Sequence, residues 1–363
     1  MKRLGLRAKS AILGIFACAA GCATVPEPER RPPVFNAPAS RPTQRPQPIA
    51  PDYKAKPPPS LAANLDSLAR SFDGKLGIAV MRTDGKWIYI HQGDAYFPQQ
   101  SVSKLWVALT VFDAVDSGRM SLDQKVTINR DDLTVFHQPI AELVGKDGFD
   151  TNVSELLLRA MTQSDNTAND SLLRSVGGPA AVRAMLLRKG IEDVRFGPGE
   201  RLLQSKTAGL TWRQSYATNG NFFKARKALP DAVRQAALDT YLETLPDGAQ
   251  PQAITRALAQ LQQGKLLSSN STRVLLSLMN EAQTGKQRVQ GGVPYDWRYG
   301  HKTGTGQELA GLSTGYNDVG IMTAPDGTSY ALAVMIASTR VGIPTRQAMM
   351  QGVSAAIAGA QRK

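Results

Sequence analysis

At 363 residues and 42% hydrophobic side chains, the chain can bury a large core in one domain or two, without a disulfide or metal staple. The formal net charge of +13 is unevenly placed: residues 1–60 carry +7, leaving +6 for the other 303. A basic leading segment with no base-reading motif argues against a nucleic-acid partner. Two cysteines confined to the first 22 residues exclude a disulfide or thiolate-ligated metal from the folded part.

In chain order, Lys2, Arg3, Arg7 and Lys9 precede an apolar run from Ala11 to Ala20, too short to span a bilayer and patterned as a secretory signal over residues 1–22. It ends in Ala19-Ala20-Gly21-Cys22, which resembles the lipobox of bacterial lipoproteins. The resemblance implies export to the periplasm, lipidation of Cys22 and membrane attachment through it, with Ala23 favouring the outer membrane. Simple cleavage to a soluble periplasmic protein is the alternative. From Ala23 to Ser60, 12 of 38 residues are proline, which makes this stretch a disordered, partly extended linker.

From residue 61 to 363 the composition is globular. The pattern predicts a helix over 61–72, strands over Lys75 to Arg82 and Trp87 to His91 around the turn Thr83-Asp84-Gly85-Lys86, and a helix from Ser101 to about Ser117. A mainly helical middle runs over 119–290. Strands follow near 297–305, 314–324 and 328–338, with Asp326-Gly327 as a hairpin turn, and a helix covers 343–359. Strands at both ends around helices imply an α/β (α+β) fold: an antiparallel sheet carrying the terminal helices, with an all-helical lobe inserted.

Three motifs fall in this domain. Ser101-Val102-Ser103-Lys104 puts a hydroxyl and an ammonium on one helix face, so Lys104 can receive the proton of Ser101. Ser164-Asp165-Asn166 lies just before a periodic run from Ala168 to Leu173, where helix capping is the competing explanation. Lys302-Thr303-Gly304-Thr305-Gly306 ends a predicted strand, and its lysine and hydroxyls suit a carboxylate. His91, His137 and His301 are scattered singly, without the paired ligands of a zinc hydrolase, so neither metal nor cofactor is expected.

Together and in this order, the three motifs resemble those of class A β-lactamases and penicillin-binding proteins, the penicillin-recognising serine hydrolases. The resemblance implies a five-stranded antiparallel sheet flanked by helices beside the helical lobe, with the site in the cleft between them. It further implies a small-molecule β-lactam substrate and a monomer. Ser101 would be the acylated nucleophile, with Lys104 assisting its deprotonation and Ser164 protonating the leaving nitrogen. Asn166 would hold the substrate's side-chain amide, and Lys302, Thr303 and Thr305 its carboxylate. The N–H groups of Ser101 and Thr305 would form the oxyanion hole.

Deacylation in that family needs a glutamate. Glu200, 36 residues after Ser164 and following Gly197-Pro198-Gly199, has the family spacing, and Gln204 stands where an asparagine usually shares the water. No arginine–aspartate pair that would close this loop is evident. The stretch from Glu200 to Lys302 is longer than the family's, and the surplus is assigned to 216–254, where Leu229 to Leu245 reads as an extra helix. No basic residue follows on the strand after Lys302, which leaves Arg340 or Arg346 as the carboxylate's arginine partner. Two other functions remain open: a D-Ala-D-Ala peptidase acting on peptidoglycan, and a non-catalytic binding lipoprotein of the same fold.

Overall fold

The computed structural model describes residues 55–362. The signal-like residues, Cys22 and the proline-rich stretch through Lys54 lie outside the described residues.

Helix α1 (Pro59–Ser71) begins two residues inside the stretch read as linker, with proline at a first-turn position where its missing N–H costs nothing. Strands β1 (Lys75–Arg82), β2 (Ile88–His91) and the short β3 (Phe97–Pro98) follow. The helix expected from Ser101 starts as a 3₁₀ turn, Gln100–Ser103, and continues as α2 (Lys104–Asp116). Next come β4 (Lys125–Ile128), β5 (Phe149–Asn152), α3 (Val153–Leu158), a π-helical turn at Arg159–Gln163, α4 (Asn166–Ser175) and α5 (Gly178–Arg188). A long excursion then carries α6 (Glu200–Thr207), α7 (Asn221–Ala228) and α8 (Asp231–Thr244) before β6 (Gly248–Ala249). Helices α9 (Pro251–Gln262) and α10 (Ser269–Asn280) complete the middle. The chain ends with β7 (Arg298–Thr305), the small hairpin β8 (Glu308–Leu309) and β9 (Leu312–Ser313), β10 (Tyr316–Thr323), β11 (Ser329–Ser338) and α11 (Ile343–Gln361).

Five strands form one antiparallel sheet in the order β2-β1-β11-β10-β7. Both of its faces are covered, and the period-2 alternation of β11 sorts residues by size. Leu332, Val334 and Ile336 pack with Leu61, Leu65, Met350, Val353 and Ile357 of the terminal helices. Ala331, Ala333, Met335 and Ala337 face the helical lobe, where small side chains let α9 lie close to the strands. Inside that lobe α2 has 11 of its 13 residues buried, so it is apolar on all sides rather than amphipathic. Its N-terminus, carrying Lys104, thereby points at the sheet's β7 edge from within the core.

The excursion is closed at its base without an arginine–aspartate ion pair. Val194 bridges Ala249, and Arg195 N–H donates to the Gly248 carbonyl at 2.8 Å. The Gln99 side-chain amide donates to the carbonyls of both Arg195 and Asp247 at 2.8 Å. Asp247 itself accepts from the Gln100 N–H at 2.8 Å and from the Tyr241 hydroxyl of α8 at 3.0 Å. The segment 216–254 thus holds two helices, α7 and α8, where one was expected.

Burial pushes the Asp247 carboxyl up to about 6 from its ordinary 3.8. A folded state that holds a proton more tightly than the unfolded chain is favoured at low pH. This group's contribution is therefore full below about pH 4 and lost as pH rises through about 6, a fall of ~3 kcal/mol. Asp247→Asn cannot ionise, so denaturant titrations from about pH 4 to 7 are expected to show a flatter pH dependence than the unsubstituted protein. Parallel stability curves would contradict this.

Candidate active site

Ser101 lies in the 3₁₀ turn at the mouth of α2, directly after Gln100, whose φ of +54° places a non-glycine residue in the left-handed region. Such a conformation costs of order 1–3 kcal/mol and persists only where neighbours fix it. Here Asp247 takes the Gln100 N–H, and the Tyr241 hydroxyl accepts from the Gln100 side-chain amide at 2.5 Å. The strain turns the Ser101 hydroxyl toward Lys104, one turn along.

Lys104 is 1% exposed, and all three of its ammonium protons are used. They reach Ser101 Oγ at 2.7 Å, Asn166 Oδ1 at 2.8 Å and a carboxylate oxygen of Glu200. Burying an ammonium is tolerable only with such compensation. Glu200 opens α6 and is itself buried; its second oxygen accepts from Gln204 Nε2 at 3.2 Å. Gln204 also donates to Gln100 Oε1 at 3.1 Å and accepts from Gln307 Nε2 at 3.1 Å. Glu200 and Gln204 therefore form one hydrogen-bonded unit beside the serine–lysine pair.

On the opposite side, Ser164 ends the π-helical turn with φ of +62°, and its Oγ accepts from Lys302 Nζ at 2.8 Å. Asp165 caps α4 by accepting from Ala168 N at 2.8 Å and also takes Ile140 N at 2.6 Å. The capping role and the chemical role of this tripeptide thus fall on different residues. Asn166 is clamped by its neighbours: its Nδ2 donates to Val135 O at 2.8 Å and its N–H to His137 O at 2.9 Å.

Strand β7 supplies the remaining groups. Lys302 is buried, and burial, with Lys104 and Arg288 nearby, holds its ammonium well below the ordinary lysine range. A Cβ on Gly304 would lie 2.3 Å from the Gln99 carbonyl, so only glycine lets the strand approach the segment bearing Ser101 this closely. Thr303 shares a 2.8 Å hydrogen bond with Thr284.

The arginine that lies against this strand is Arg288, which the sequence reading missed. Its guanidinium stacks 3.8 Å over Tyr316 and donates to Gly304 O at 2.9 Å, Asn317 O at 2.6 Å and Thr305 Oγ1 at 2.5 Å. Neither residue expected in that role occupies it. Arg340 reaches the Ala310 carbonyl, and Arg346 reaches Val341 O and Glu308. The signal for Arg288 was one of several basic residues in an irregular stretch, 14 positions before Lys302, which only the folded chain brings alongside Thr305.

The nine predicted site residues in the described domain fall into two neighbouring groups, with Lys104 and Glu200 close enough to Lys302 to act on its charge. Ser101, Lys104, Asn166, Glu200 and Gln204 form the first; Ser164, Lys302, Thr303 and Thr305 form the second. Among the described residues no three His, Cys, Asp or Glu side chains are grouped as metal ligands.

Asp170 is a further residue that sequence did not single out. Its carboxylate accepts from the backbone N–H of Glu200 at 3.1 Å and of Arg201 at 3.4 Å, and burial and the charge of Glu200 push it up. Asp170→Ala leaves both N–H groups without an acceptor, at a cost of about 1–3 kcal/mol. Amide exchange at Glu200 and Arg201 is expected to accelerate about tenfold or more while β11 amides stay protected. Unchanged exchange at those two amides would show that Asp170 does not hold the loop.

The β-lactamase enzyme family matches residues 60–361 of this chain. The extended-spectrum β-lactamase PER-1 of Pseudomonas aeruginosa is 28% identical over 297 residues, covering 82% of this chain and 85% of the relative. The β-lactamase VEB-1 of the same organism is 26% identical over 282 residues, covering 77% and 83%. A solved structure described as an ancestral class A β-lactamase superposes with a TM-score of 0.67 at 30% identity, covering 83% of this chain and 99% of its own.

Proposed function

The chain belongs to the β-lactamase enzyme family, in its class A branch of penicillin-recognising serine hydrolases, and from that premise we propose that it opens the β-lactam amide through an acyl-enzyme on Ser101. The observation that carries this reading is the single ammonium of Lys104, bonded at once to the Ser101 hydroxyl and to Glu200.

Ser101 Oγ attacks the lactam carbonyl carbon, with the developing oxyanion facing the N–H groups of Ser101 and Thr305. Collapse breaks the C–N bond. Lys104 first yields a proton to Glu200, which frees an amine lone pair to take the Ser101 proton; that proton reaches the leaving nitrogen through Ser164, and Glu200 returns its proton to Lys104 and is left a carboxylate. Glu200 then takes a proton from water, the hydroxide adds to the ester carbonyl, and the proton passes to Ser101 Oγ as that bond breaks. Lys302, Thr303, Thr305 and Arg288 present a cationic, hydroxyl-lined seat for the substrate carboxylate, and Asn166 holds the side-chain amide.

A D-Ala-D-Ala peptidase shares the acylation half of this scheme but has no use for a buried Glu200–Gln204 unit beside the nucleophile. A non-catalytic binder has no use for the buried lysine. With a penicillin, Ser101→Ala is expected to lose both covalent labelling and hydrolysis. Glu200→Gln is expected to become labelled and accumulate as acyl-enzyme, with turnover reduced roughly 10²–10⁴-fold. Mass spectrometry and a hydrolysis time course read both. Labelling that survives Ser101→Ala, or a long-lived acyl-enzyme in the unsubstituted protein that Glu200→Gln leaves unaltered, would sink the scheme, and the latter would favour the peptidase.

We further propose an exported protein whose mature chain is anchored through lipidated Cys22 and held off the membrane by the proline-rich linker. The basic start, the short apolar run and Ala19-Ala20-Gly21 before the cysteine support this. Cys22→Ser is expected to move the protein from the membrane fraction to the soluble periplasmic fraction. Unchanged fractionation would overturn the anchor.

A further inference from the structure

The excursion between α5 and β6 reaches both walls of the cleft. On one wall, Phe136 lies between the two carbonyls that clamp Asn166, those of Val135 and His137, with φ of +61°. Its ring meets Phe222 of α7 edge-on at 5.0 Å and Phe223 at 5.6 Å. On the other wall, Arg226, one turn after Phe223 on the same helix face, donates to the Glu308 carbonyl of the β8–β9 hairpin at 2.6 Å. Helix α7 therefore spans from the Asn166 clamp to the hairpin that follows the Lys302 strand.

Phe222 is 2% exposed and explains how α7 is fixed, whereas Phe223 is 56% exposed. Phe223 therefore presents an aromatic face half in water, in contact with the ring that flanks Asn166. If a substrate's side-chain amide is held at Asn166, as proposed above, the group beyond it would extend along the Phe136 side of the clamp. We infer that Phe223 is a specificity-determining residue forming the outer wall of the acyl-substituent subsite, and that it favours β-lactams whose acyl group ends in an aromatic ring.

The inference rests on the β-lactamase reading. Its test compares benzylpenicillin, which carries a phenylacetyl group, with 6-aminopenicillanic acid, which carries none. In full-length Phe223→Ala, the ratio of kcat/KM for benzylpenicillin to that for 6-aminopenicillanic acid is expected to fall about three- to tenfold, through KM rather than kcat. Phe223→Leu keeps apolar bulk against Phe136 and removes the π-face, and should move the ratio in the same direction. Phe223→Trp should retain it. A ratio unmoved in both the Ala and the Leu variant overturns the inference while leaving the β-lactamase reading intact. Failure of the unsubstituted protein to hydrolyse either compound overturns both.

Discussion

One buried ammonium organises the cleft. Lys104 sits at the start of a helix that is apolar on every side, so its charge has no route to water and must be met by acceptors delivered from elsewhere in the chain. Three elements deliver them: the 3₁₀ turn with Ser101, α4 with Asn166 and α6 with Glu200. Removing the Glu200 carboxylate from such a cluster leaves the buried ammonium without its counter-ion, a cost of about 3–5 kcal/mol. Catalytic geometry and fold stability are therefore coupled at this nitrogen, because the contacts that keep the charge tolerable are those that aim the serine and the carboxylate.

The second buried lysine completes an electrostatic argument. Lys302 lies near enough to Lys104 and Arg288 for both to oppose its charge, while Glu200 already pairs with Lys104. Burial first, and then the charges of Lys104 and Arg288, depress the proton affinity of Lys302. Under the proposed function, a substrate carboxylate docking against Lys302, Thr305 and Arg288 would offset those charges, which would tie binding to one anionic group. Of the eight described non-glycine residues with left-handed φ, three border these groups: Gln100 precedes Ser101, Phe136 sits between the carbonyls that clamp Asn166, and Ser164 accepts from Lys302.

What sequence made legible follows from how local each signal is. The serine and lysine of Ser101-Val102-Ser103-Lys104 meet because one helical turn separates them, so their contact could be read from spacing alone. The strands of the sheet were legible from composition and turn residues, and β1 occupies the same residues as expected. Glu200 was placed by spacing, although what holds it is distant in sequence: Asp170 takes its backbone N–H, and Gln204 its carboxylate. Arg288 was illegible because its role depends on Tyr316, Gly304 and Asn317, which reach it only through the β7–β10 pairing. Arg340 and Arg346 were reasonable candidates by chain order, but they are spent on the carbonyls of Ala310 and Val341 and on Glu308.

The excursion shows why a poor local match need not displace a catalytic group. The stretch around Glu200 has little pattern of its own, yet its base is pinned by Gln99 and Asp247, its α6 by Asp170 and by Gln307 donating to the Gln204 carbonyl, and its far side by Arg226 on the hairpin. These anchors come from segments on both sides of the cleft, so the carboxylate's position is set by the frame rather than by the residues next to it. Extra helices can then be inserted between the anchors without moving Glu200. What such an insertion changes is the wall it presents to the mouth, and here that wall is aromatic. The chemistry of the site and the shape of its entrance are thereby carried by different parts of the same loop, so the entrance can vary while the reaction centre stays in place.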